Sequence, residues 1–216
     1  FPAEKLKKYD ERKPGFFASL TKDRDEYLDY LQTAVLEAAA EKNCVLIGRG
    51  SFLILEDLPN LISVRLIANK AIRKERLMNE FDWDEKQSMQ RIMESHVNRT
   101  GFHKSFFNLD HENPEYFHLV MNTGLLDVNT SARLIEDLCL QSITPEKEEK
   151  NNKKIQELLK AQYIVNSIVF KHKLSISFMK SVVVDNKVIL YGVADSPAVV
   201  EKAIEIASEM VPDFAV

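Results

Sequence analysis

Residues 44–68, CVLIGRGSFLILEDLPNLISVRLIA, constrain the fold more than any other stretch of the chain. Two short apolar runs, residues 44–47 and 62–67, have the length and composition of buried strands. A turn with two glycines and a short apolar helical pattern separate the two runs. Long helical patterns flank this unit, and strands that alternate with helices are typical of a parallel sheet covered by helices. The stretch therefore predicts an α/β domain.

The turn after the first predicted strand places an arginine between two glycines, Gly48-Arg49-Gly50. Glycine lets the backbone turn sharply and approach a ligand closely. Open α/β sheets bind their ligands at the carboxyl ends of strands, where this turn lies. A planar guanidinium can hold a phosphate there with two hydrogen bonds. We therefore predict that Gly48, Arg49, Gly50 and Ser51 bind a substrate; the alternative is an arginine paired with a helix carboxylate.

Composition and charge exclude several classes of function. The 216 residues carry a net charge of -4 and are 45% hydrophobic, which is ordinary for a globular protein and gives no general attraction to nucleic acid. No apolar run is long enough to span a bilayer, and the chain does not begin with a signal-peptide pattern. Cys44 and Cys139 lie in apolar stretches without metal-ligand spacing, which indicates buried thiols in a reducing compartment. We expect a cytoplasmic protein.

The alternation of helices and strands continues to about residue 143. Residues 117–122 have the pattern of a third strand, and four segments have helical periodicity: 21–42, 70–81, 85–100 and 130–140. Residues that commonly cap helices precede three of these segments, namely Asn69, Asp84, and Asp127 or Asn129. We therefore predict a first domain over residues 1–143.

The composition changes near Pro145. Residues 144–153 are strongly charged and contain no large apolar side chain, which is typical of a flexible linker. Further on, two strand patterns flank Asp185-Asn186, a pair that tolerates the positive φ of a two-residue hairpin turn. A helical pattern lies on each side of this predicted hairpin. We predict a second, small α+β domain over residues 154–216.

Three segments of the first domain together resemble the cytidylate kinase-like family, a branch of the P-loop nucleoside monophosphate kinases: VLIGRGSFLILEDLPNLISVRLIANKAIRKERL, RIMESHVNRTGFHKSFF and FHLVMNTGLL. That family has a Gly-Arg turn after a strand, an arginine after the next strand, an arginine in a lid helix, and a strand that ends in Asp-Thr. Arg49, Arg73, Arg99 and Asn122-Thr123 lie at the corresponding positions. The resemblance implies a three-layer fold, a parallel sheet with helices on both faces.

The resemblance also implies a reaction, the transfer of a phosphoryl group from ATP to a (d)CMP-like acceptor. It implies that Arg99 and Arg91 neutralise the transferring group, Arg73 contacts the ATP cofactor and Arg49 holds the acceptor. A solvated helix face is the alternative for Arg91, and a structural ion pair is the alternative for Arg73. The histidines at 96, 103, 111 and 118 lack the spacing of a metal site, and no metal ligand is predicted.

Three family features are absent from the sequence: the Gly-rich phosphate loop, the acid after the Gly-Arg pair, where Gly50 lies, and the acid of the lid motif, where His96 lies. None of the six glycines belongs to a GxxxxGK[ST] loop, which binds ATP phosphates and Mg²⁺. The first residue is Phe rather than Met, so we expect the natural protein to extend upstream and to carry the loop there. ATP and Mg²⁺ are expected only with that loop. Without it, we expect this chain to bind a phosphate-bearing molecule without turnover and to associate with itself through unpaired strand edges. A non-catalytic nucleotide-binding regulator is the alternative function.

The C-terminal residues 152–216 resemble a BON module, a small αββαβ unit. The resemblance is carried by a helix followed by VVVDNKVILYGVADSPAVVEKAIEIASEMV. It implies a role in interaction with an unidentified protein or ligand rather than in catalysis.

Overall fold

The structure of the chain, a computed structural model, describes residues 22–216. These residues form two compact units. The first, Asn60–Glu148, is called here the sheet unit, and the second, residues 22–59 together with Glu149–Val216, is called the hairpin unit. Residues 22–59 thus pack with C-terminal residues, although the sequence assigned them to the first domain. The division into domains at 1–143 and 154–216 stays a prediction, and its first 21 residues lie outside the described part of the chain.

The described residues contain seven helices and four strands, apart from short 3₁₀ and π turns. In chain order they are α1 (Lys22–Ala40), α2 (Ser51–Ile54), β1 (Val64–Ile67), α3 (Lys70–Phe81), α4 (Glu85–Phe107), β2 (Leu119–Asn122), α5 (Val128–Ser142), α6 (Pro145–Asn166), β3 (Ile176–Val184), β4 (Lys187–Ala194) and α7 (Pro197–Met210).

The sheet unit is built on two parallel strands. β1 and β2 pair with Val64 opposite Leu119 and Ile67 opposite Asn122, which confirms two of the predicted strands and their direction. Helices α3 and α4 connect them, as expected for a parallel crossover. Within residues 22–216 no further strand joins this pair, so the full three-layer sheet implied by the resemblance stays a prediction.

The predicted strand at residues 44–47 is wrong. This segment has an irregular, unpaired backbone, and the side chains of Val45 and Ile47 are 89% and 91% exposed. Cys44, predicted to be a buried thiol, is exposed, whereas Cys139 is partly buried. An apolar run becomes a strand only when a neighbouring strand takes up its backbone hydrogen bonds, and none does so in the described part of the chain.

Helix α4 is longer than its sequence pattern indicated. It continues through Gly101, which was predicted to end it, as far as Phe107. Phe102 and Phe106 lie on the added turns and are buried. Burial of two aromatic side chains outweighs the cost of about 1 kcal/mol for a glycine inside a helix.

Residues 145–153, which belong to the flexible linker predicted at residues 144–153, are helical and form the beginning of α6. The Thr144 hydroxyl accepts a hydrogen bond from the Lys147 backbone N–H at 3.3 Å. Pro145 lies at the first turn, with Glu146 and Glu148 close behind it. Proline and acidic residues suit the first turn of an exposed helix, so the composition that suggests a linker also describes a helix start.

The hairpin unit contains the predicted antiparallel hairpin. β3 and β4 pair with Val184 opposite Lys187, and Asp185 and Asn186 form the turn with φ values of 47° and 60°. One face of the hairpin packs on α6 and α7 around a core that includes Ile164, Ile168, Val183, Val188, Ile206 and Ala207. The C-terminal segment runs beside β4, where the Ala215 carbonyl accepts from the Val188 N–H at 2.7 Å. Assignment of this unit to the BON modules stays a prediction.

Candidate functional site

Helices α3 and α4 of the sheet unit form a cavity lined by three arginines. Arg73 and Arg76 come from α3, and Arg91 comes from α4. Residues three apart share one face of a helix, so the two α3 arginines point to the same side. The cavity has a volume of about 250 Å³, and the other lining residues are Leu77, Ile92 and Ser95. Of the predicted site residues, Arg73 and Arg91 are brought together here.

Side-chain caps set where the two helices begin. The Asn69 carboxamide oxygen accepts from the Ile72 N–H at 2.9 Å at the start of α3. Asp84 and Gln87 form a capping box at the start of α4, with hydrogen bonds of 2.7 and 3.0 Å. The predicted caps Asn69 and Asp84 are therefore confirmed, and they fix the helical register that places the arginines in the cavity.

Arg76 ties the cavity to the carboxyl ends of the strands. Its guanidinium donates to the hydroxyl of Thr123 at 3.1 Å and to the carbonyl of the same residue at 2.5 Å. The backbone N–H of Thr123 donates in turn to the Ile67 carbonyl at the end of β1, at 2.8 Å. Sequence analysis missed Arg76. The signal that could have found it is the three-residue spacing from Arg73.

Arg99 lies on α4, two turns beyond Arg91. It is half-buried, and its Nε donates to the carbonyl of the cavity residue Ser95 at 3.4 Å. Arg99 itself is not among the residues that line the cavity. Its catalytic role and that of Arg91 stay predictions.

The turn around Arg49 belongs to the hairpin unit. Gly48, Arg49 and Gly50 all have left-handed backbones, with φ values of 75°, 59° and 67°. The Arg49 guanidinium donates to the hydroxyl of Tyr27 at 3.3 Å, and Tyr27 is 1% exposed. A left-handed backbone costs a non-glycine residue about 1 kcal/mol, and such strain at a position without a helix cap or hairpin turn is compatible with a functional role. Acceptor binding by this turn and by Ser51, the first residue of α2, stays a prediction.

Two of the histidines form a buried stack at the end of α4. The rings of His103 and His111 lie 4.8 Å apart and are nearly parallel, and both residues are buried. His103 Nδ1 is 2.9 Å from the Arg99 carbonyl oxygen. Burial, followed by the charges of His103 and Arg65, lowers the pKa of His111 to about 4. Across residues 22–216 no three His, Cys, Asp or Glu side chains are grouped as a metal site requires.

The single tryptophan of the chain lies at the corner between α3 and α4. Trp83 is half-buried, and its ring stacks on that of Phe81 with 4.9 Å between the centroids. Asp82 ends α3 with a left-handed φ of 55°, and Asp84 caps α4. This aromatic corner therefore joins the two helices that supply the arginines.

Residues 1–125 match the model of the cytidylate kinase-like family. The chain belongs to the cytidylate kinase-like family. The match includes every site residue predicted from the sequence and all three cavity arginines, whereas β3, β4 and α7 lie outside it. No curated protein matches the chain. A solved structure, the crystal structure of an uncharacterized protein from Eubacterium ventriosum ATCC 27560, is 22% identical over 63% of this chain and 75% of that one, with a TM-score of 0.49.

Of the helices in residues 22–216, none combines the length and the hydropathy that a bilayer span requires.

Proposed function

We propose that this member of the cytidylate kinase-like family transfers a phosphoryl group from ATP to a (d)CMP-like acceptor, provided that the natural chain includes a P-loop. The observation that carries the proposal is the cavity of Arg73, Arg76 and Arg91 within the residues that match the family. Phosphoryl transfer needs positioning and charge neutralisation more than covalent help from the protein. Three guanidinium groups between two helices supply both.

The chemistry of the cavity suits phosphate oxygens. Each guanidinium can donate more than one hydrogen bond to an oxyanion, and the six lining residues include no carboxylate that would repel one. The volume of about 250 Å³ lies below the range for pockets that enclose a whole drug-sized ligand. With three guanidinium groups among its six lining residues, the cavity suits the phosphate part of a nucleotide.

Arginines supply the charged side chains that we assign to the nucleotide, and Ser51 would assist Arg49 at the acceptor. Arg73 and Arg76 would hold phosphates of ATP, Arg91 and Arg99 would approach the transferring group, and Arg49 would hold the acceptor. Mg²⁺, when bound, neutralises charge on the phosphates, but it prefers carboxylate and phosphate oxygens and the cavity offers no carboxylate. Residues of this cavity therefore fit ATP phosphates and do not fit the metal, which we expect only together with a P-loop.

A non-catalytic regulator that binds a nucleotide or another phosphate ligand is the second candidate. It is favoured by a cavity with three cations and no carboxylate among its six lining residues. In this function the BON-like module would pass the bound state on to a protein partner.

Two measurements test these proposals. The natural full-length protein is assayed with Mg-ATP and CMP, dCMP, UMP or AMP, and turnover with a pyrimidine monophosphate supports the kinase. The 216-residue chain is titrated calorimetrically with inorganic pyrophosphate, CMP and ATP. We expect Arg73→Gln and Arg91→Gln to weaken pyrophosphate binding about tenfold each, the worth of one charged hydrogen bond.

The matched control is Arg133→Gln on α5, an exposed arginine outside the cavity, which should bind pyrophosphate like the parent. Binding without turnover selects the regulator. If the parent chain binds none of the three ligands and the full-length protein shows no turnover, both candidate functions are wrong.

A further inference from the structure

The hairpin of β3 and β4 has one face on the core and the other open. Lys180 lies opposite Tyr191 on the open face. Ile189, Tyr191 and Val193 alternate along β4 and are 46%, 52% and 64% exposed. This apolar strip with lysines at its margins is called here the hairpin face, and it comprises Lys180, Val182, Lys187, Ile189, Tyr191 and Val193. Contiguous exposed apolar residues of this kind mark interaction surfaces more often than isolated ones do.

Helix α7 presents a surface of opposite charge. Ala203, Ile206 and Ala207 are buried against the core, so the residues on the other side of the helix face solvent. These solvent-facing residues are called here the helix face: Val200, Glu201, Ile204 and Glu205. Val200 and Ile204 are 46% and 41% exposed. Glu205 pairs with Lys202 at 2.7 Å, while Glu201 has no ion pair among residues 22–216.

We propose that the helix face of one copy of this chain docks on the hairpin face of a second copy. The apolar residues of the two faces would pack together, while Glu201 and Glu205 would meet Lys180 and Lys187. Such docking would cover the open side of the hairpin with a helix and remove its exposed apolar side chains from water. Two hairpin faces cannot pair with each other as well, because their lysines would repel.

The location of the two faces sets the symmetry of the assembly. α7 packs on the inner side of the hairpin, so the helix face and the hairpin face point away from each other in one copy. One molecule therefore cannot satisfy both surfaces by itself. The contact is head-to-tail, and it produces a ring where the rotation closes and an open chain of copies where it does not. The marginal charges should speed association and set its orientation, so added salt should weaken it.

The test uses sedimentation velocity on the 216-residue chain from low micromolar to submillimolar concentration. One double variant, Lys180→Glu/Lys187→Glu, reverses the charge of the hairpin face. A second, Glu201→Lys/Glu205→Lys, reverses the charge of the helix face. We expect the parent to associate and each variant alone to stay monomeric. An equal mixture of the two variants should associate, because the unchanged helix face of one matches the unchanged hairpin face of the other and the two reversed faces are again opposite in charge.

A control variant, Lys86→Glu/Arg133→Glu, makes the same charge change on exposed residues of the sheet unit and should associate like the parent. Circular dichroism and thermal melting establish that all variants are folded. A parent that stays monomeric at every concentration overturns the proposal and leaves the hairpin face to a partner of another sequence. Variants that still associate separately, or fail to combine in the mixture, also overturn it.

Discussion

Asp29 on α1 is a half-buried carboxyl group whose charge depends on pH near neutrality. Gln162 of α6 donates to its carboxylate at 3.3 Å, and Asn166 donates to nearby Thr33 at 2.8 Å. Burial raises the pKa of Asp29 from 3.8 to about 6, and the hydrogen bond from Gln162 only partly opposes that effect. A raised pKa means that the native state prefers the protonated carboxyl, so stability falls as the pH rises from 3.8 through about 6.

We expect Asp29→Asn to stabilise the protein at neutral pH. The amide oxygen can still accept from Gln162, and the cost of a buried charge disappears. The pKa shift corresponds to a gain in the free energy of unfolding of at most about 3 kcal/mol, which should vanish as the pH approaches the usual carboxyl pKa. Urea unfolding over a pH series measures it. Glu41→Gln, at an exposed residue, is the control, and a variant no more stable than the parent at any pH contradicts the prediction.

Replacement of Arg49 should weaken ligand binding and leave the stability of the protein nearly unchanged. The left-handed φ of 59° at this residue suits glycine, so Arg49→Gly should remove about 1 kcal/mol of strain while it loses the hydrogen bond to Tyr27. We expect an unfolding free energy within about 1 kcal/mol of the parent and a clear loss of CMP affinity in calorimetry. Retained CMP binding together with a large loss of stability would show that Arg49 is structural.

At the scale of elements, Gly192 in β4 marks a place where two strands approach unusually closely. A Cβ atom at this position would lie 2.4 Å from the Ile176 Cγ2 atom and 3.3 Å from the Ser177 carbonyl oxygen. Ile176 is branched at Cβ and cannot turn its methyl group aside easily. We expect Gly192→Ala to lower the unfolding free energy by about 1–3 kcal/mol in urea titrations.

The control for this prediction is Gly124→Ala. There the nearest atom, at 2.7 Å, is Cδ1 of Ile72, the flexible end of a side chain, so a smaller loss is expected. The double variant Gly192→Ala/Ile176→Ala should recover part of the loss, because it removes the colliding methyl group. If the two glycine variants are equally stable, the close approach of the strands is not what restricts residue 192 to glycine.

Two segments differ from their predicted structures. The segment between α1 and α2 was predicted to contain a strand and is irregular, and the start of α6 was predicted to be a flexible linker and is helical. Residues 41–48 are mostly exposed and include Lys42 with a left-handed φ of 65°, whereas the charged residues after Thr144 are helical. We expect limited trypsin digestion to cut first after Lys42 and only later after Lys147 or Lys150. Proteases need an extended, accessible backbone, which a helix does not offer. First cuts within residues 145–153 would restore the linker interpretation.

On the scale of the whole molecule, the sequence predicted elements with local signals better than it predicted their partners. The helices after Asn69 and Asp84, the parallel strands and the hairpin turn at Asp185-Asn186 were all predicted, because caps, periodicity and turn residues act over a few positions. The failure at residues 44–47 has a physical cause, since a strand depends on a distant neighbour. Arg76 was missed because its partner Thr123 is 47 residues away in the chain.

The stabilities of the two units should change in opposite directions as the pH falls. His111 in the sheet unit has a lowered pKa of about 4, so stability is lost as the pH falls from 6.5 towards 4. Asp29 in the hairpin unit gains stability over the same range. Hydrogen exchange with mass spectrometry should show faster opening of α4 and slower opening of α1 and α6 in acid. His111→Phe and Asp29→Asn should each remove the response of their own unit, and parallel changes in both units would contradict the assignment.

The aromatic corner between α3 and α4 provides an intrinsic fluorescence signal from the two helices that line the cavity. Because Trp83 is the only indole in the chain and stacks on Phe81 where the two helices meet, the emission spectrum of the native protein originates from this one place. We expect an anion that draws Arg73 towards Arg91 to shift the two helices at this corner and so to change the wavelength or the intensity of that emission. Anion binding to the cavity can therefore be followed by fluorescence on the unlabelled chain. The hairpin unit contains no tryptophan, so its own changes do not contribute to this signal.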